Sequence, residues 1–200
     1  MKLIAPLTNI PTNLGKRHLE VMDELERILD KGESFSTMSE LAKRLKISLR
    51  TLYEIAPSKE ELIVTTVDRV LKKHGKIAMD AIKNHSSPIK KLESFLKVAN
   101  QAVGPRFEQF TSSLGNLPTS KPMVDYHEQY ITNFIKGLLD EAKNKNEIKN
   151  IDTQATALLL GGLGRYFQSK NLIKNLNQTP EQTTNFLTDI IISGIKLENL

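Results

Sequence analysis

A chain of 200 residues with 39% hydrophobic residues is long enough to bury a substantial core, and its formal charge of +5 suits an acidic partner without naming one. The absence of cysteine excludes a disulfide framework, a thiolate metal site and a thiol redox switch. Nowhere do about 18 apolar residues follow one another, so no membrane-spanning helix is expected, and the chain is assigned to the cytoplasm.

In residues 1 to 15, Pro6 and Pro11 interrupt the apolar residues before an h-region can form, and this stretch reads as a flexible arm. From Leu19 the apolar residues Met22, Leu25, Ile28 and Leu29 recur in steps of three and four, which predicts a helix closed by Gly32. Thr37, with Glu40 three residues on, forms a capping-box pattern for a second helix, for which Ser36 is an alternative cap. Its apolar face of Met38, Leu41, Ala42 and Leu45 ends at Lys46-Ile47-Ser48. Ser48 can cap a third helix of about two turns, which Pro57 ends by disfavouring helical geometry at Ala56. Ser58 with Glu60 and Glu61 opens a fourth, running past Lys73 toward Asn84.

Longer amphipathic helices are predicted at about 88–103, 105–114, 122–145, 152–172 and 180–197, with Pro88, Pro105, Pro122 and Pro180 at or near their starts. No strand, repeat or low-complexity tract is predicted. The fold class is all-α, divided into a DNA-binding domain over 16–73, including the start of a linking helix, and a helical domain over 74–200.

Residues 37 to 56 have the layout of a helix-turn-helix: a helix, a short turn, and a second short helix able to reach base edges. Between Ser36 and Tyr53, Lys43, Arg44, Lys46 and Arg50 stand against Glu40 alone, which suits phosphate neutralisation. The run from Ser48 through Thr51-Leu52-Tyr53 to Ser58-Lys59-Glu60-Glu61-Leu62 resembles the signature of the TetR (tetracycline repressor) family of transcriptional regulators. Thr37-Met38-x-Glu40-Leu41-Ala42 resembles that family's second helix, and the likeness covers about residues 19 to 70. Two aromatic positions of the pattern are Ile55 and Ala56 here, and Lys46 stands where a glycine is usual.

The resemblance implies that Tyr53 and Lys59 contact phosphate, that Thr37 and Thr51 add hydroxyl contacts, and that Ser48, Leu49 and Arg50 face the major groove. Arg50 would bond guanine through O6 and N7. Glu54 would either accept from cytosine or repel phosphate. The implied protein is a homodimer on a near-palindromic double-stranded operator, a repressor released by a small apolar or amphipathic effector. The alternative is an all-helical protein-interaction module that keeps a degenerate motif.

For the dimer interface the residues are Leu158, Leu159, Gly162 and Tyr166 on one helix and Phe186, Ile190, Ile191 and Gly194 on the next. These stripes would pack either between two copies or within the monomer. For an effector pocket they are Phe107, Phe110, Leu114, His127, Tyr130, Phe134 and Arg165, whose aromatic members could equally be plain core. The four histidines form no zinc motif, the run Gly161-Gly162-Leu163-Gly164 lacks the context of a phosphate loop, and no catalytic set stands out. Neither enzyme activity nor a cofactor or metal is expected.

Overall fold

The computed structural model describes residues 14–103, 105–115, 117–167 and 176–197, the side chains at 103, 105–108 and 111 excepted. In chain order these form α1 (Lys16–Asp30), α2 (Met38–Leu45), α3 (Leu49–Ile55), α4 (Lys59–Ala81), α5 (Pro88–Ala99) and a 3₁₀ turn (Asn100–Val103). There follow α6 (Pro105–Leu114), a 3₁₀ turn (Pro118–Ser120), α7 (Lys121–Asn144), α8 (Thr153–Phe167) and α9 (Pro180–Ile195). The all-α expectation holds: the described residues contain no strand, only an isolated antiparallel bridge between Ile148 and Lys196. No described helix is long and apolar enough to cross a membrane.

The differences from the periodicity lie at the ends. The helix expected over 88–103 is α-helical only to Ala99 and tightens into the 3₁₀ turn, before Pro105, which has no N–H to continue a helical ladder. Helix α4 stops at Ala81, where amides at Lys83 and His85 bond three residues back to Asp80 and Ile82. Of the helix expected over 152–172, residues 168–172 lie outside the described residues, as does the N-terminal arm except for Leu14 and Gly15.

The chain clusters into two units. One takes in the described residues up to Lys72 together with Glu108–Tyr126; the other takes in Lys73–Phe107 and the residues from His127 onward. The first unit's core joins Val21, Met22, Leu25 and Ile28 of α1 to Phe35, Met38, Leu41 and Ala42, then to Leu52, Ile55, Ala56 and Leu62. These are the apolar positions of four amphipathic segments, so each helix in this unit is stable only because the others cover its face. Arg69 on α4 donates to Asp23 on α1 at 2.6 Å, fastening the fourth helix to the first.

Three helix ends among the described residues use one device. After α1, the amides of Gly32 and Glu33 bond the carbonyls of Leu29 and Ile28; after α2, those of Lys46 and Ile47 bond Lys43 and Ala42; after α7, those of Asn146 and Glu147 bond Lys143 and Ala142. Each requires a left-handed residue, with φ of 67° at Gly32, 52° at Lys46 and 54° at Asn146. Glycine and asparagine adopt this geometry readily; lysine does so at a cost. Lys46→Gly is therefore expected to raise the stability of the first unit by about 0.5–1 kcal/mol, the relief of left-handed strain less the extra backbone freedom of unfolded glycine. Chemical denaturation checks this, and an unchanged or lower midpoint contradicts it.

The second unit is built around Leu92, Phe95 and Leu96 of α5, Ile135, Leu139 and Ala142 of α7, Ala157, Leu160 and Leu163 of α8, and Ile192 of α9. Glu147, in the connection after α7, accepts from the Ser87 hydroxyl at 2.8 Å and the Ile89 amide at 2.9 Å. A carboxylate thus satisfies donors at the positive end of α5. Asn100 is buried and donates to Asn185 at 3.0 Å and Thr188 at 3.2 Å, so the 3₁₀ turn is tied to α9 by polar as well as apolar contact.

Candidate nucleic-acid interface

Local capping places the two helices of the motif. Thr37 accepts from the Glu40 amide at 3.1 Å and starts α2, and Ser48 accepts from the Thr51 amide at 3.1 Å and starts α3. Glu40 completes the capping pattern one residue earlier than expected: its carboxylate accepts from the Ser36 amide at 2.7 Å, not from Thr37. Between the helices lie only Lys46, Ile47 and Ser48, and the left-handed turn at Lys46 redirects the chain.

Helix α3 divides into two faces. Leu52 and Ile55 point into the core together with Ala56, while Leu49, Arg50, Tyr53 and Glu54 are exposed. Ile55 and Ala56 are each no more than 3% exposed, so the two smaller residues at the family's aromatic positions still close the core under α3. Tyr53 is half exposed, unlike a core aromatic. Lys43, Arg44 and Lys46 are exposed, and Arg44 is ion-paired with Glu33. This bond is the chief reason the Glu33 carboxyl titrates below its usual range.

Thr37 is exposed; its oxygen serves the cap, and a hydroxyl that accepts can still donate. Thr51 is partly exposed and shares a hydroxyl bond of 2.8 Å with Ser48. Lys59 is the first residue of α4, and its ammonium lies 3.5 Å from the Phe35 carbonyl, a long bond that an anion would readily replace.

Glu54 accepts from His18 Nε2 at 3.0 Å through one oxygen and from Arg50 Nε at 3.0 Å through the other. The His18 bond, and after it the Arg50 bond, hold the Glu54 carboxyl below the usual carboxylate range. Neither expected role for Glu54, accepting from cytosine or repelling phosphate, anticipated that both oxygens are engaged. His18, 36 residues away on α1, carried no sequence signal for such a partnership.

The two apolar stripes of the C-terminal helices split as well. Leu163 and Phe167 turn into the core and Leu187, Ile191 and Ile195 pack partly against it. Leu158, Leu159, Tyr166, Phe186 and Ile190 face outward, each more than half exposed. Among the described residues, a side chain added at Gly162 or Gly194 would meet nothing within 4 Å, whereas one at Gly161 would come within 3.0 Å of the Thr132 hydroxyl. Within the glycine run, Gly161 thus permits close packing of α8 on α7, and Gly162 does not serve that contact.

The residues expected around an effector are dispersed between the units. Phe110 and Leu114 are buried in the first; His127, Tyr130, Phe134 and Arg165 belong to the second; the side chain of Phe107 lies outside the described residues. Within the second unit Phe134 lies 4.6 Å from Phe95 and 6.5 Å from Tyr130, centroid to centroid. Arg165 is exposed and pairs with Glu128. A different concavity of about 300 Å³, lined by Glu93, Ser94 and Lys97 of α5 and Asn185, Thr188 and Asp189 of α9, was not anticipated, because its residues are scattered over almost a hundred positions.

No protein-family model matches the chain. It is 27% identical over 180 residues to an uncharacterized HTH-type transcriptional regulator of Bacillus subtilis, YvaF, an alignment covering 84% of this chain and 89% of that protein. A TetR transcription regulator from Haloarcula marismortui superposes with a TM-score of 0.75 at 13% identity, over 92% of this chain and all (100%) of that one. The regulator FadR of Bacillus subtilis, solved in complex with stearoyl-CoA, does so with a TM-score of 0.69 at 16% identity, over 89% of this chain and 99% of that one. By its fold the chain is of the TetR type, the all-helical architecture of these transcriptional regulators.

Proposed function

We propose that this chain is a TetR-type transcriptional regulator that binds duplex DNA as a homodimer through α2 and α3. The observation that carries the reading is the outward face of α3: Leu49, Arg50, Tyr53 and Glu54 stand exposed beside Lys43, Arg44 and Lys46, over a closed core. An exposed tyrosine and leucine on a short helix ringed by cations suit base edges flanked by phosphates better than water. Two copies joined through the exposed rows of α8 and α9 would present two such helices, and hence read a near-palindromic operator with half-sites about one DNA turn, or a multiple of it, apart.

Its role is repression relieved by an apolar or amphipathic effector held in the C-terminal unit beside the half-buried pair Tyr130 and Phe134. The stearoyl-CoA bound by the B. subtilis FadR, similar in fold, is a ligand of that amphipathic kind. An effector acts only by differing in affinity for the DNA-bound and free states. Regulators rather than enzymes are what the chain is similar to.

The test is a mobility shift with the DNA upstream of the chain's own gene, followed by footprinting. A shifted complex with a two-fold symmetric footprint is the expected result, and Lys59→Ala or Tyr53→Phe should weaken binding on every sequence alike. No shift at low salt would exclude the reading.

A further inference from the structure

We propose that His18 is a positioning residue for sequence readout: from α1 it anchors Glu54, which in turn holds the side chain of Arg50 ready for a base edge. The inference rests on the reading of α3 as the recognition helix and adds a residue outside the helix-turn-helix to the machinery of specificity.

The roles within the relay follow from the donors. The Gly15 amide donates to His18 Nδ1 at 3.2 Å, and an amide can only donate, so Nδ1 carries the lone pair and Nε2 the proton of a neutral imidazole. That Nε2–H is what Glu54 accepts at 3.0 Å. The ring is therefore held at both nitrogens, and its side chain is only 20% exposed.

Arg50 by contrast is 87% exposed, and an arginine so placed keeps many rotamers unless something orders it. Its bond to Glu54 uses Nε at 3.0 Å and leaves the two terminal nitrogens, the fork that meets O6 and N7 of guanine, uncommitted to Glu54. Arg50 and Glu54 are four residues apart on one exposed helix face, an arrangement that orders little by itself. The contact from a second helix distinguishes this pair from an ordinary surface ion pair. With both oxygens engaged, Glu54 serves Arg50 rather than reading cytosine itself.

The experiment compares the base preferences that wild type, Arg50→Ala, His18→Ala and His18→Gln select from a pool of random duplexes, with thermal melting of each protein and affinity for a non-selected duplex alongside. Arg50→Ala should erase preference at one position of each half-site. His18→Ala should weaken preference at that same position by about two- to tenfold, the cost of ordering one long side chain, with affinity for the non-selected duplex unchanged. His18→Gln should restore it, because the carboxamide can accept from Gly15 and donate to Glu54. The proposal is overturned if His18→Ala selects the wild-type profile, or if it loses affinity for all duplexes equally, which would mark His18 as a structural cap only. If wild type selects no sequence at all, the DNA-binding reading fails and the relay with it; if wild type selects and only the histidine result is negative, the relay alone fails.

Discussion

Leu159→Asp combined with Ile190→Asp is expected to leave a helical monomer whose affinity for operator DNA is lower by roughly 10²–10⁴-fold. Both side chains are more than half exposed, so aspartate at either position costs the isolated chain little. In a two-fold assembly each substitution appears twice, and every carboxylate would be taken out of water without a partner, at several kcal/mol apiece. Association would be lost, and with it the gain from binding two half-sites at once. Sedimentation velocity on both proteins, with circular dichroism to verify helix content, decides the matter. A variant that remains dimeric, or a wild type that is monomeric at micromolar concentration, removes these faces from the account.

Leu52→Ala should have the opposite signature. Leu52 is fully buried in the first unit's core, which also takes side chains from α1 and α2, and truncating it removes about 2–5 kcal/mol through lost contact and the cavity left behind. That is a large share of the stability of so small a core. DNA binding should fail while the dimer persists, because α8 and α9 belong to the other unit, which has its own core. Thermal melting together with sedimentation would show a lowered first transition and an unchanged mass. Loss of the dimer alongside DNA binding would contradict the assignment of the two roles to separate cores.

The two variants mark what could be read from the sequence. The helix-turn-helix was legible because its signals are local: Thr37 and Ser48 cap within three residues, and Leu41, Ala42, Leu52 and Ile55 fall at helical spacing. Lys46, which stands where the family's pattern has glycine, adopts the left-handed geometry that glycine favours. What could not be read are relations between distant elements. Leu158, Leu159 and Tyr166 stay in water on α8, but only the packing of that helix on its neighbours turns Leu163 and Phe167 into the core. The bond from His18 to Glu54 joins two polar residues that no pattern links, and it changes the role Glu54 would be given from its place on α3.

The claim that α2 and α3 form a DNA-binding surface is tested most directly by fluorescence anisotropy of a labelled duplex titrated with wild type and with Lys59→Ala across a range of salt. Log affinity should fall linearly with log salt for the wild type, as cations on this face displace counterions from phosphate. For Lys59→Ala the affinity should be lower and the slope shallower by about one. No binding at low salt, or a Lys59→Ala slope identical to that of the wild type, would contradict the account.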